Sequence, residues 1–504
     1  MERGQDNGKP LVEVRLDPSD LRRWHLWLLE ELEEAGAGVR VAPADAVRLP
    51  PAARALLLLE RVLYGGRHAM DAVDGGTPPR FSVSTGTEPD VVVDLTGTGA
   101  PAEGVLAPLY DGAPEEAAAM AAVLEGRAPF LEISAGPDGR RMTVGLPAVE
   151  DDTVVARALD PVMARMCEGL VRAVRGALPG RGSGCTHARA EVVTGSDLSA
   201  GRIAAFAAAS LGARIARRIA ALAGRKGDVW MVGLRRVEPG GGLLETGVLD
   251  ENAYSIVPDD GRRYLADPFV FVKDGRRFVF VEEFPFATGR GVISVLEVDS
   301  EGEVGELFPV LDEDVHLSYP HVFASDGEIW MIPESGEARE VRLYRCVSFP
   351  GRWEPVEVLV KDKELSDATV CRLDGQWWMF ATERTRHGSS WDALAIFRAE
   401  RLAGPWHPHP ANPVLVDAGQ ARPAGAVHVR EGRVLRPVQD CRGGYGAGLA
   451  ICRVDRIDEA CYLQKVTKNI HPRAKKGIHT FNAAGGLEVV DFFGKAPASP
   501  ERRP

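Results

Sequence analysis

Two textures of hydrophobic patterning divide the chain. From residue 11 to about 225, short apolar runs alternate with stretches whose apolar residues recur every three or four positions. Residues 12–16 read as a strand. Asp17-Pro18-Ser19-Asp20 then opens a helix, with Asp17 as cap and Pro18 at the first helical position, and Leu21, Trp24, Leu28 and Leu32 follow at helical spacing up to Gly36. A strand at 39–42, a helix over 52–63, the apolar strand 91–95, a helix over 114–126 and strands near 129–134 and 141–146 complete this pattern. Such alternation predicts an open, largely parallel α/β sheet over residues 11–150. Two longer helices, about 151–178 and 197–224, read as a helical linker region at 151–227, joined through the flexible stretch 179–184.

From about 228 the runs shorten, and five segments share one pattern: a polar or proline-containing start, an apolar strand, a tight turn, and a second strand ending in acid. They begin at Asp267, Tyr319, Asp367, Arg422 and His479, turn at Asp274-Gly275, Asp326-Gly327, Asp374-Gly375, Glu431-Gly432 and Gly485-Gly486, and end at Glu283, Glu334, Glu383, Asp440 and Asp491. The starts lie 52, 48, 55 and 57 residues apart. A period of about 50 residues built on hairpins is the mark of propeller blades, which bury their faces only against neighbouring blades. The predicted fold class is α/β plus all-β: an open, Rossmann-type sheet followed by a five-bladed β-propeller over 228–495, with a disordered tail at 496–504.

Composition narrows the function classes. A formal net charge of −12 argues against a specific nucleic-acid partner. No apolar run approaches 18 residues, so no transmembrane segment is expected. The polar first residues and seven cysteines without a CxxC pair fit a cytoplasmic chain with free thiols and no bound metal. Neither GxGxxG nor GxxxxGK[ST] occurs, so no NAD or ATP loop is expected, and the cofactor stays unknown. The Ala- and Arg-rich second helix is read as a packed linker, with oligomerisation through it or the N-terminal sheet as the alternative.

In a propeller the innermost strands all start beside the axis, so residues some 50 positions apart converge. Asp267 and Asp367 are the candidate acid–base pair, since two carboxylates are the usual equipment at an anomeric centre. His316, Tyr319, Arg422 and His479 line the expected funnel as substrate-binding groups, and Glu334, Glu383, Arg436 and Asp440 complete the set. A planar guanidinium suits a carboxylate or phosphate, and histidine a proton shuttle near neutrality. The basic segment 465–476, with Lys468 and Lys475, is a candidate phosphate site or a solvated loop. Trp330, Trp377 and Trp378 read as packing residues ahead of sugar platforms. Metal ligation by His316, His321 and His479 is a lesser alternative, which their spacing supports only weakly.

The stretches His316-Leu317-Ser318-Tyr319-Pro320-His321, Met331-Ile332-Pro333-Glu334-Ser335, Ala421-Arg422-Pro423-Ala424-Gly425, Leu435-Arg436-Pro437-Val438-Gln439-Asp440 and Gly477-Ile478-His479-Thr480 resemble a family of bacterial and plant proteins. These are related to the N-terminal part of glucosamine inositolphosphorylceramide transferase, and the resemblance covers about residues 250–495. Asp267-Pro268 also resembles the first-blade aspartate of five-bladed glycosidases, where it implies a general base. Tyr319 departs from the aspartate those enzymes place in the second blade. The N-terminal half more faintly resembles a formyltransferase sheet but lacks the catalytic Asn and His pattern, His25, His68 and His187 lying in unrelated contexts. The resemblance implies a carbohydrate or sugar-phosphate ligand, a nucleotide sugar among the candidate substrates, and glycosyl transfer or glycoside processing in glycoconjugate or secondary-metabolite biosynthesis. A non-catalytic carbohydrate- or partner-binding module and a sugar N-acyl or formyl transferase are the alternatives.

Overall fold

The computed structural model describes residues 9–73, 81, 88–98, 102–136, 140–177, 198–222 and 227–495. The connection expected at 179–184 and the tail expected at 496–504 lie outside the described residues. The chain divides into two compact units, 1–224 and 225–504.

The first unit contains β1 (Leu11–Leu16), α1 (Arg23–Glu34), β2 (Gly38–Pro43), α2 (Pro51–Tyr64), β3 (Val91–Asp94), β4 (Val105–Tyr110), α3 (Glu116–Leu124), β5 (Leu131–Ala135), β6 (Arg140–Gly145), α4 (Val155–Ala177) and α5 (Ala200–Leu222). Its sheet has the order β2-β1-β3-β4-β5-β6. The first four strands are mutually parallel and the last two join antiparallel, so the sheet is mixed, with helices packed on it. Asp17 caps only the short turn Pro18–Asp20, accepting the Ser19 N–H. The chain then extends, and α1 starts later than the pattern predicts. The reason is Arg22, whose backbone bridges to Ala72 and whose guanidinium reaches Asp20, Glu116 and the Met70 carbonyl.

Helix α4 is a core element of this unit, where the sequence pattern suggested a linker. Val155, Leu159, Val162, Met163, Met166 and Leu170 are buried in one cluster with Val12, Val14, Leu28, Val93 and Ile133. Its first turn is held by Glu60, a buried carboxylate on α2 that accepts the N–H groups of Val155 and Ala156 at 3.0 and 2.8 Å. These are donors that a helix N-terminus otherwise leaves without partners. Burial pushes the Glu60 carboxyl up, with those two hydrogen bonds opposing the shift.

The second unit is the five-bladed propeller. It opens with β7 (Val229–Arg236), a short helix α6 (Leu243–Thr246) and β8 (Ser255–Ile256). The first blade is β9 (Arg263–Lys273), β10 (Arg276–Pro285), β11 (Val292–Val298) and β12 (Phe308–Leu311), and the second is β13 (Ser318–Ser325), β14 (Glu328–Glu334), β15 (Glu340–Ser348) and β16 (Arg352–Lys361). The third holds β17 (Glu364–Leu373), β18 (Gln376–Arg384) and β19 (Ala393–Ala399), with the two-residue strands β20 (His407–Pro408) and β21 (Leu415–Val416) both paired to β19. The fourth is β22 (His428–Arg430), β23 (Arg433–Asp440), β24 (Gly448–Ile457) and β25 (Tyr462–Ile470). The fifth is assembled from both ends of the unit: β26 (Phe481–Ala484) and β27 (Leu487–Gly494) add β7 and β8 as its outer strands. Strand β27 pairs with β7 from Leu487 opposite Arg236 to Gly494 opposite Val229, and these hydrogen bonds close the circle.

Apolar clusters fill the spaces between blades. Trp377 packs with Leu343 and Val370, and Trp378 with Phe380 and Tyr462, so both rings are packing residues. Among the described cysteines, Cys167, Cys346, Cys371, Cys441 and Cys452 are free. Cys461 is disulfide-bonded, against the expectation of free thiols throughout. Among the described residues no helix is long and apolar enough to cross a membrane.

Closure through β27 makes a measurable demand. Phe492 on β27 is fully buried and meets the Tyr254 ring edge-on at 5.6 Å. Phe492→Ala is expected to cost about 3–5 kcal/mol, read as a lowered urea midpoint for the propeller transition.

Candidate functional site

Three inner strands carry the same local device. Asp267, Tyr319 and Asp367 have φ of 49°, 45° and 56°, and at each of them the pairing with the next strand slips. A left-handed residue at a bulge turns its side chain out of the strand's regular alternation. Aspartate tolerates this conformation, whereas for tyrosine it is a strained outlier that the surroundings must hold in place. The bulge also frees a backbone N–H, which must be paired when buried. In each case a carboxylate takes it. Asp491 accepts the Asp267 N–H at 3.0 Å, Asp267 accepts that of Tyr319 at 3.2 Å, and Glu334 accepts that of Asp367 at 2.8 Å.

These contacts bring all five blades together at one axis. Thr480 of the fifth blade donates to Asp267 Oδ1 at 2.7 Å, and His479 Nε2 lies 3.3 Å from the same oxygen. The Tyr319 hydroxyl accepts the Gly425 N–H of the fourth blade at 2.6 Å and meets Thr369 Oγ1 of the third at 2.9 Å. Arg422 Nε and Gln439 Nε2 donate to Asp367 Oδ2 at 2.6 and 2.9 Å. Arg422 also lies 3.8 Å from Glu334 and reaches Ser390. Asp267, Asp367, Arg422 and His479 are 4, 2, 6 and 3% exposed. The structure thus joins five of the sequence-predicted residues, Asp267, Tyr319, Asp367, Arg422 and His479, with Glu334 at their edge.

Four carboxylates, of Asp267, Glu334, Asp367 and Asp491, face two cations, and that imbalance sets the protonation. Burial pushes the Asp267 carboxyl up to about 7, with His479 opposing and Glu282 adding to the rise. Burial likewise drives Asp367 well above the usual carboxylate range against the pull of Arg422. For His479, burial alone would lower its pKa, but the Asp491 and Asp267 carboxylates outweigh it and hold the imidazolium up to about 9. The cluster therefore retains a proton near neutrality, shared among interacting groups.

Asp267, His479 and Asp491 offer ligand atoms within 4.8 Å of one another, which makes them the group able to hold a cation among the described residues. Their atoms already serve each other: Asp491 Oδ1 accepts the N–H groups of His479 and Thr480 at 2.9 Å each, and Oδ2 lies 2.7 Å from His479 Nδ1. His479 Nδ1 is nonetheless a buried nitrogen without a well-formed hydrogen bond. His321 takes no part in this triad. It sits between blades against Phe323 and contacts the Val370 carbonyl, and burial lowers its pKa to about 4.

The other predicted residues stand elsewhere. His316 is half-buried beside the ring, with Nε2 3.3 Å from Glu282, whose hydrogen bond raises its pKa. Glu383 pairs with Lys363. Asp440 is held by Arg442 at 2.8 and 2.6 Å. Arg436 is fully buried away from the axis group, donating to Tyr462, Gln464 and the Ala421 carbonyl and lying over the Phe380 ring. It spends three of its five N–H donors on these partners and packs against the third blade through Phe380. Lys468 donates to the Leu244 carbonyl at the end of α6, and Lys475 contacts Met231, so neither expected phosphate ligand belongs to the axis group.

Sequence reasoning missed an aromatic rim. The Trp230 ring lies 3.9 Å from His479 and 6.2 Å from Tyr445, and Trp391 lies 5.6 Å from Tyr445. The Tyr445 ring covers the Arg422 guanidinium at 5.1 Å and is 40% exposed. Glycines at 443, 444, 446 and 448 flank it. Gly446 has φ of 63°, and a Cβ there would meet Trp230 at 2.6 Å. One aromatic set among glycines was the available signal; Trp230 precedes the first repeat and carried none.

Residues 256–489 match the family described as "Glucosamine inositolphosphorylceramide transferase 1, N-terminal". That span includes Asp267, Tyr319, Asp367, Arg422 and His479, while Trp230 and Asp491 fall outside it. Glucosamine inositolphosphorylceramide transferase 1 of Oryza sativa subsp. japonica is 36% identical over 256 residues, which are 48% of this chain and 34% of the rice protein. The Arabidopsis thaliana protein of that name is 31% identical over 223 residues, 44% of this chain and 29% of its own. The aligned part thus spans about a third of the length of these curated relatives. Among solved structures, a family 117 glycoside hydrolase of Zobellia galactanivorans aligns with 53% of this chain and 90% of its own at 12% identity and a TM-score of 0.35. An α-L-arabinofuranosidase of Podospora anserina aligns with 48% and 94% at 11% identity and the same TM-score.

The axis cluster fixes a pH dependence. Asp267, raised to about 7, keeps a proton that the unfolded chain releases near 4, so its contribution to stability falls as pH rises from about 4 to 7. His479, raised to about 9, contributes stability fully present below about 6.5 and lost as pH rises through 9. Urea unfolding across pH 4–10 is expected to show a decline over both windows. Asp267→Asn should flatten the lower window and His479→Gln the upper.

Proposed function

We propose that the chain is a carbohydrate-active protein whose propeller axis binds a hydroxyl-rich sugar or sugar phosphate, with glycosyl transfer or glycoside processing as its chemistry. The observation that carries this reading is the convergence of Asp267, Asp367, Arg422 and His479 beneath Trp230, Trp391 and Tyr445. The region's 36% identity to part of a transferase supports it. Aromatic faces suit the apolar face of a sugar ring, and charged groups below them suit its hydroxyls.

In this reading one of the two aspartates, Asp267 or Asp367, both raised by burial, donates its proton to the leaving oxygen, and the other, in its ionised form, accepts the acceptor's proton. His479, held charged between Asp267 and Asp491, sets the proton inventory. Arg422 positions an anionic group while orienting Asp367. A nucleotide sugar is the candidate donor and a glycoconjugate the candidate acceptor.

A binding-only module is the second reading, and a specific observation favours it. Asp367 Oδ2 already accepts from Arg422 and Gln439, and Tyr319 stands at the second-blade bulge, where a third acid would otherwise sit. For the first unit we propose a formyltransferase-like sheet serving donor binding, scaffolding or dimerisation. Its four parallel strands and the missing catalytic pattern support that role.

Product analysis by mass spectrometry across sugar nucleotides and simple glycosides, run beside calorimetry, separates the two readings. Under catalysis, Asp267→Asn or Asp367→Asn should lower turnover by roughly 10²-fold or more with folding preserved. Arg422→Lys should weaken binding, since it keeps the charge and loses the planar fork. Tyr445→Ala should weaken binding about tenfold in either reading, a loss of the order expected for one aromatic contact. Binding that depends on Arg422 without any product selects the second reading. Full activity in the Asp267→Asn/Asp367→Asn double variant removes both aspartates from the mechanism.

A further inference from the structure

Helices α2 and α5 of the first unit each carry two apolar faces, and each uses only one. On α2, Ala53, Leu56, Leu57 and Glu60 are buried, while Leu58, Leu59, Val62 and Leu63 are 63, 46, 74 and 52% exposed. The run of four leucines therefore splits, two inward and two outward. On α5, Ile203 and Ser210 are buried and Phe206 and Ala207 pack on the core, while Leu211, Ile215 and Ile219 are 48, 51 and 60% exposed. Those three repeat every fourth residue and form one stripe. The two helices are neighbours, with the Arg214 guanidinium 3.6 Å from the Tyr64 ring.

These seven side chains leave on the order of 600–700 Å² of apolar surface in water, beyond the ~300–600 Å² of the largest patch on a typical monomer and close to the ~800 Å² per partner of a standard interface. We propose that this two-helix face is the interface of a homodimer, covered by the same face of a second copy of this chain. Its chemistry favours that occupant. The seven exposed side chains are Leu, Val and Ile, the composition of a core cut in half, and the exposed Arg54, Arg61, Arg202 and Arg218 on the same two helices make an anionic bilayer the competing occupant that the test must separate. Ala204, Ala208 and Gly212 are exposed beside the stripe, and no heavy atom lies within 4 Å of a Cβ built at Gly212, so a partner helix can approach closely. A self-complementary patch of this kind closes as a two-fold dimer.

The test is sedimentation velocity of the full chain from 1 to 50 μM, wild type against Val62→Glu/Ile215→Glu. A wild-type dimer, and a variant whose dimerisation is at least 100-fold weaker with unchanged far-UV circular dichroism, is the expected result. Should that variant misfold, the milder Leu58→Ser/Ile219→Ser replaces it. Hydrogen exchange of the wild type must also show protection of residues 51–64 and 200–222 that rises with protein concentration. A wild-type monomer over the whole range overturns the proposal, because the face is then covered within the chain or by another partner. Dimerisation that survives in a folded variant, or binding of monomers to phosphatidylcholine–phosphatidylserine vesicles that Val62→Glu/Ile215→Glu abolishes, overturns it equally.

Discussion

The propeller depends on pairing the backbone N–H groups that its inner-strand bulges set free. Left-handed Asp267, Tyr319 and Asp367 each turn a polar side chain out of the strand alternation and, by the same distortion, release a buried donor. Leaving one such donor unpaired costs about 1–3 kcal/mol. Carboxylates of Asp491, Asp267 and Glu334 take the three donors, and each acceptor comes from the blade next door. Blade-to-blade closure and the polar centre are therefore one arrangement. The carboxylates that hold the bulges need compensating charge, and His479 and Arg422 provide it.

This coupling explains why the axis is both buried and charged. Residues 3–6% exposed or less would normally be neutral or fully paired. Here carboxylates outnumber cations, so a proton stays within the cluster near neutrality. The same imbalance that destabilises the fold at high pH supplies a carboxylic acid able to donate in glycosyl chemistry. In the proposed reading stability and function draw on the same groups, as at other sites where environment drives pKa values apart.

The first unit solves the equivalent problem with single acids placed against many donors. Glu116 accepts from Arg22 Nε at 3.0 Å and Trp24 Nε1 at 2.6 Å, and Glu60 holds the first turn of α4. Both ties link elements far apart in sequence, which is why α4 belongs inside this core. Among the described residues of this unit, the outward faces of α2 and α5 remain exposed over the largest apolar extent.

By itself the sequence determined the number and spacing of the blades. Tight Asp-Gly turns and two-residue alternation are local signals, and a period near 50 residues survives any error in strand ends. Circular closure then required the starts Asp267, Tyr319, Asp367, Arg422 and His479 to converge, and they do. Parallel pairing among the first four strands was legible for the same reason, while the antiparallel β5 and β6 were not, because pairing direction is a long-range choice. Tertiary structure alone decided the rest. Arg436 looked like a ligand-binding arginine, but packing sets it away from the axis group, with three of its N–H donors on Tyr462, Gln464 and the Ala421 carbonyl. Trp230 joined the rim only because β7, distant in sequence, completes the last blade beside β27. Whether a charged side chain serves the fold or a ligand depends on which partners three-dimensional packing brings within about 3 Å of it, and a linear sequence does not record that distance.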